Sequence, residues 1–218
     1  MLISKRSLWR GLMAAGLTAL LQLPMAAFAA VDTSTPDGLI RQLSNETIDT
    51  VKADKAIQAG DVGKIVALVD AKVMPYVDFQ RMTALAVGRF WRQATPEQQQ
   101  RLQEEFKSLL IRSYAGALTQ VKDQTVEIRP LRASPDDKEV VVKTLVKGRG
   151  DPTQLDYRLE KMADGWKIYD VNVLGVWLAD AYRNNFAQEI GANGIDGLIK
   201  ALTEKNKKSA EAPASAKK

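Results

Sequence analysis

Apolar residues recur at helical spacing through the first half of the chain and at strand spacing through the second. Leu39, Leu43, Ile48 and Val51 form one stripe after Thr35-Pro36-Asp37, a start signal in which a capping threonine precedes proline. Asp61 opens a shorter helix carrying Ile65, Leu68 and Val69, which ends before Pro75 because a proline pushes its predecessor out of the helical region. A third helix runs from about Asp78 towards Gly88. Thr95-Pro96-Glu97-Gln98 predicts a capped start, with Gln98 placed to reach back in a capping box, and Leu102, Phe106, Leu109, Leu110 and Ala117 continue that helix. Strands are predicted over 125–129, the valine-rich 139–147, and 154–162, where Leu155, Tyr157 and Leu159 alternate. Asp164-Gly165 reads as a hairpin turn into a last strand over 166–173. A helix over about 176–190 presents Leu178, Tyr182 and Phe186, and a short one follows Gly194. Helices first and an antiparallel meander second imply an α+β fold, with N-terminal helices packed on a curved antiparallel sheet of about four strands and C-terminal helices closing it.

The large apolar groups in these segments include Phe79, Met82, Trp91, Phe106, Tyr157, Trp166, Ile168 and Tyr182. A concave sheet with helices across its mouth either packs such groups as an ordinary core or encloses a cavity, and periodicity leaves both open.

The N-terminus reads as an export signal spanning 1–29. Lys5, Arg6 and Arg10 supply the positive region, residues 11–23 a short apolar run ended by Pro24, and Ala27-Phe28-Ala29 a cleavage site after Ala29. The apolar run is shorter than the ~20 residues of a membrane span. Ser4-Lys5-Arg6-Ser7-Leu8 faintly resembles a twin-arginine signal, which would change the export route only. The formal charge of +5 is concentrated at the ends: three cations lie in the leader, and the residues from Thr203 onward carry +3. The body between them, near −1, lacks the basic face of a nucleic-acid binder. Residues 205–218 form a Lys/Ala/Ser/Pro-rich tail without apolar anchors, expected to be disordered. The domain proper is then 30–204.

The chain has no histidine and no cysteine. Serine and cysteine triads, cysteine- or histidine-held metal sites and disulfide frameworks are thereby excluded. What remains is carboxylate, lysine or tyrosine chemistry, or none. Asp170 beside Tyr169 and Asp156 beside Tyr157 offer an acid and a phenol. Neighbouring strand residues are expected to point to opposite faces, so neither pair converges on one substrate. Arg89, Arg92 and Arg101 form either a solvated face or a surface for an acidic partner.

Several fragments taken in order carry a resemblance. These are Pro75-Tyr76-Val77-Asp78-Phe79 with Met82, then Gly88-Arg89, Trp91 and Ala94-Thr95-Pro96 with Gln98. Later come Trp166-Lys167-Ile168-Tyr169-Asp170-Val171, Gly175-Val176, Tyr182-Arg183 with Phe186, and Gly194-Ile195-Asp196-Gly197-Leu198. Together they resemble the MlaC family, also known as toluene-tolerance auxiliary proteins, over about residues 35–206. The resemblance implies a periplasmic phospholipid-binding protein of an NTF2/cystatin-like fold, not an enzyme, with an internal apolar pocket for acyl chains and no cofactor besides its lipid cargo. It also implies two partners, an outer-membrane lipoprotein–porin complex and an inner-membrane ABC transporter with an MCE-domain ring, between which lipid is shuttled to keep outer-membrane asymmetry. Apolar spacing and the resemblance together nominate Phe79, Met82, Trp91, Phe106, Tyr157, Leu159, Ile168 and Val173 as the pocket wall. Trp177 departs from the family pattern, where a small polar residue is expected, and would alter the pocket's width or entrance if it borders it. A lipid-free periplasmic chaperone and an NTF2-like isomerase remain as alternatives.

Overall fold

The computed structural model describes residues 31–134 and 136–211. The leader read over 1–29 and the tail residues 212–218 lie outside them. Helix α1 (Pro36–Ala53) starts as its sequence predicts: the Gly38 amide donates to the Thr35 hydroxyl at 3.2 Å and Pro36 occupies the first turn. Asp54 and Asp61 cap the short helices α2 (Lys55–Gln58) and α3 (Val62–Leu68) in the same way. A π turn at Val69–Val73 and a 3-10 turn at Met74–Tyr76 then unwind the chain before and through Pro75. Asp78 caps α4 (Phe79–Val87), and both halves of the capping box at Thr95 and Gln98 are present at the start of α5 (Pro96–Thr119).

Five strands follow as an antiparallel meander: β1 (Thr125–Ile128), β2 (Glu139–Lys147), β3 (Thr153–Met162), β4 (Gly165–Val173) and β5 (Val176–Trp177). The last corrects the expectation of about four strands and of a helix from residue 176. Leu174 and Gly175 both take positive φ (52° and 91°), the conformation of a two-residue hairpin turn, so Val176 and Trp177 fold back onto Val173 and Asn172. Helix α6 (Leu178–Glu211) begins only afterwards, and its chain leaves helical geometry at Gly194.

A second correction concerns the tail. Residues 205–211, expected to be disordered, continue α6. Asn206 is buried and its side-chain amide donates to the Glu105 carbonyl (2.9 Å) and carboxylate (2.7 Å), a polar anchor that hydrophobic patterning does not register.

Register fixes two unlike sheet faces. Val140 and Val142 of β2 stand opposite Leu159 and Tyr157 of β3, and Ile168 and Val171 of β4 continue that row. Helix α1 covers this apolar face with Leu39, Ile40 and Leu43. Tyr157 lies in the row near Ser44 of α1 and Thr144 of β2, and burial pushes its phenol up to about 12. The opposite face carries Asp156, Arg158, Glu160 and Asp170.

The outer edge of β4 is shared. Val77 makes a single parallel bridge to Ile168, with the Asp78 amide donating to the Ile168 carbonyl at 2.8 Å, while β5 pairs with the strand's far end. No helix among the described residues is long and apolar enough to cross a membrane.

The β3–β4 hairpin turns at Ala163 and Asp164, and Gly165 takes φ 118°. A Cβ there would meet the Thr33 hydroxyl and lie 3.0 Å from the Thr33 carbonyl, which accepts from the Trp166 amide. Gly150 has a similar φ of 105° with open space around it. Gly150→Ala is therefore expected to lose about 1–2 kcal/mol from conformation alone, and Gly165→Ala measurably more, by denaturant unfolding. Equal losses would mean that the Thr33 contact carries no weight.

Tyr157 gives a pH prediction. The folded state keeps its proton to about 12, whereas an unfolded tyrosine titrates near 10.0. The stabilisation is complete below pH 10 and should fall as pH rises from 10 to about 12, by on the order of 2 kcal/mol. Tyr157→Phe should flatten that slope in unfolding curves measured across this range.

Candidate functional site

The apolar interior is divided. One cluster lies between α1 and the sheet: Leu39, Ile40, Leu43, Val140, Val142, Leu159, Trp166 and Ile168. A second is built by α4, α5 and α6, with Phe106 at its centre. The Phe106 ring sits 5.8 Å from Phe79, 5.1 Å from Tyr182 and 5.3 Å from Phe186, the last two edge-on, an arrangement that aromatic quadrupoles favour. A third joins α1, α2, α3 and the end of α5 and has no residue of β4 in it.

Between the first two runs a seam of half-buried apolar side chains. Val77 and Val171 pack against both clusters; Val73 and Tyr76 lean on the first, Met74 and Val173 on the second. The seam follows β4 and the irregular segment 73–77 that crosses its edge. A π turn followed by a 3-10 turn sets this segment, because a continued α-helix could not pass Pro75 and still bridge Val77 to Ile168.

The nominated wall residues fall on both banks. Phe79, Met82 and Phe106 are buried in the helical cluster, with Trp91 and Val173 half-buried against it; Leu159 and Ile168 are buried in the sheet cluster, with Tyr157 half-buried beside it. They belong to two clusters, and Phe106 and Leu159 expose no surface at all. The seam residues Val73, Met74, Tyr76 and Val77 were not among the nominated wall residues, although Tyr76 and Val77 belong to one of the fragments that carry the resemblance. Their signal in the sequence is an apolar run on either side of Pro75 that fits neither helical nor strand period.

Around Tyr169 and Asp170 the polar face is a network of partnered charges. A bulge at Tyr169 shifts the β3–β4 register, so that Arg158 faces Asp170 while Leu159 faces Ile168. It also brings Tyr169 and Asp170 to the same side, contrary to the alternation expected of neighbouring strand residues. The Tyr169 hydroxyl donates to Glu139 at 2.9 Å. Arg81 lies 3.7 Å above the Tyr169 ring and bridges Glu139 at 2.7 Å, and it also contacts Glu160.

Asp170 is fully buried. It pairs with Arg158 at 3.0 Å and accepts from the amides of Val171 (2.9 Å) and Ala179 (3.1 Å). Burial raises its pKa, while those amides and Arg158 oppose the rise. Because Ala179 lies in the first turn of α6, the carboxylate also meets the positive end of that helix. Asp170 is thus a fastener between strand and helix, with both oxygens engaged. Asp156 is likewise held, by the Thr144 amide (3.3 Å) and the Gln154 side chain (2.7 Å). Neither carboxylate presents a free base beside a phenol. Trp177 stacks under Arg158 at 3.9 Å on this polar face, so it does not narrow the seam.

With this geometry established, three relatives are informative. A phospholipid-binding protein from Ralstonia solanacearum, solved in complex with a phospholipid, is 47% identical and superposes with a TM-score of 0.77, covering 79% of this chain and 97% of that one. The toluene tolerance protein ttg2D of Pseudomonas putida is 27% identical over 175 residues, which is 79% of this chain and 81% of the relative. The intermembrane phospholipid transport system binding protein MlaC of Haemophilus influenzae is 23% identical over 192 residues, 86% of this chain and 90% of the relative. The family model described as MlaC protein matches residues 41–204, from within α1 to within α6, and so takes in the sheet, both banks of the seam and the segment that crosses it: this chain belongs to the MlaC family.

Proposed function

We propose that this protein is a periplasmic phospholipid carrier, which takes acyl chains into the seam along β4 and moves lipid between the outer-membrane lipoprotein–porin complex and the inner-membrane MCE-domain ABC transporter. The observation that carries the reading is the relative with bound phospholipid, 47% identical and matched over 97% of its length. We assign the acyl chains to the seam. Its residues are apolar, only half-buried, and drawn from two clusters that meet along one strand.

The physics favours such a site. Each methylene kept from water is worth ~0.8 kcal/mol, so a two-chain lipid carries on the order of 20 kcal/mol of apolar penalty in an aqueous compartment. A bilayer offers the same relief. A carrier that must also unload should match that solvation without greatly exceeding it, which suits an apolar wall with few fixed polar groups. Phe106 and Leu159 come within reach of a chain only when the helical bundle and the sheet part along β4. The α6 fastener at Asp170 lies at the foot of that line and holds one end together.

An organic extract of the purified, folded protein should contain two-chain phospholipid by mass spectrometry. Val173→Asp, on the seam's bank, should lower lipid per mole of protein while leaving the circular dichroism spectrum unchanged. An empty extract from the wild-type protein would overturn the carrier reading and favour a chaperone.

Removing the lipid should lower the melting temperature, because a ligand bound only to the native state adds about 2.7 kcal/mol at a hundredfold excess over Kd. Reloading with phosphatidylethanolamine or phosphatidylglycerol should restore it equally, since acyl chains make most of the contact. Identical melting with and without lipid, or recovery with one headgroup alone, would contradict an acyl-chain site.

A further inference from the structure

The polar face of the sheet has a concavity of its own, and we infer that it is a binding site for a phosphate ester. The cavity measures about 420 Å³, within the size range of small-ligand pockets. Two rungs of the β2–β3 ladder form its floor, Lys143 opposite Asp156 and Leu145 opposite Gln154. The chain leaving β1 forms its wall, where Arg129 and Arg132 flank the cavity. Pro130, between them, fixes one backbone dihedral and stiffens the segment that carries both guanidinium groups.

The charges of this cavity are unspent. Lys143 and Asp156 stand opposite one another yet form no ion pair, and each Asp156 oxygen accepts one hydrogen bond, from the Thr144 amide or from the Gln154 side chain. Among the described residues Arg129, Arg132 and Lys143 enter no salt bridge, whereas Arg81, Lys107, Lys147, Arg149, Arg158 and Lys167 all do. Glu127, whose field reaches Arg129, is bridged to Lys147. Three cations against one carboxylate leave an excess of two positive charges at one spot of a body whose overall charge is near −1.

The chemistry of the lining narrows the ligand. Two planar guanidinium forks and an ammonium suit the oxygens of a phosphate. Asp156 sits buried on the floor and each oxygen has acceptor capacity beyond its one bond. A hydroxyl or ammonium on the same ligand can donate there. The class is therefore a phosphate ester of a small alcohol or amino alcohol, free or as the headgroup of a lipid. The cavity opens on the face opposite the apolar row under α1, so its occupancy is separable from that of the seam.

The test is a titration of the isotope-labelled, folded protein with glycerol phosphate and with inorganic phosphate, followed by amide NMR. Saturating shifts are expected at Lys143, Gln154 and Asp156, tighter for the ester than for inorganic phosphate. The double variant Arg132→Gln/Lys143→Gln should weaken binding by at least about tenfold, while Lys64→Gln, a lysine of α3, should leave it unchanged. Vesicles of phosphatidylglycerol, competed with free glycerol phosphate, distinguish the sources. Vesicle binding lost in the double variant assigns the site to lipid headgroups, and vesicle binding unchanged alongside lost ester binding assigns it to soluble esters. Shifts that never saturate, or an equal loss in Lys64→Gln, would overturn the site. Lipid co-purifying with the double variant should stay at the wild-type level, so a failure here leaves the carrier reading standing, and the converse holds.

Discussion

Strand β4 is the constraint on which the rest of this structure depends. Its inward residues serve two interiors, with Trp166 and Ile168 sealed under α1, and Val171 and Val173 turned half-buried towards the helical bundle. Its outer edge is divided between Val77 and β5, and its bulge at Tyr169 resets the register of everything beyond. A strand used in this way cannot merge the two interiors into one close-packed core. The seam between them is the geometric consequence.

The polar face stabilises what the apolar face leaves divided. Arg81 ties the start of α4 to Glu139 of β2 and Glu160 of β3, and Asp170 ties β4 to the start of α6. Both fasteners act on elements that border the seam, and both lie on the side away from it. That separation leaves the seam residues Val73, Met74, Val77, Val171 and Val173 lined by apolar side chains alone.

The seam was only partly legible in advance. Phe79, Met82, Phe106, Leu159 and Ile168 stand out in the sequence because helical and strand periods mark inward positions, and the structure buries all five. Periodicity says that a residue faces inward, but not which interior it faces. Val73, Met74, Tyr76 and Val77 obey no period, because a π turn and a 3-10 turn carry them, so they were not nominated for the wall although Val77 touches both clusters. Asn206 was assigned to a disordered tail because its anchor is a pair of hydrogen bonds to Glu105, about a hundred residues away in sequence.

The sequence by itself determined that helices precede an antiparallel meander, the caps at Thr35, Asp61, Asp78 and Thr95, the hairpin after β3, and the family, because each of these is written in local spacing or in short runs of residues. Tertiary structure alone decided which apolar side chains share an interior, which face Trp177 occupies, that Tyr169 and Asp170 lie on one side, and that Arg129, Arg132 and Lys143 surround one cavity. Those outcomes rest on register, on one extra residue in β4 and on contacts between elements far apart in the chain. Such interactions have no period, so no local pattern encodes them.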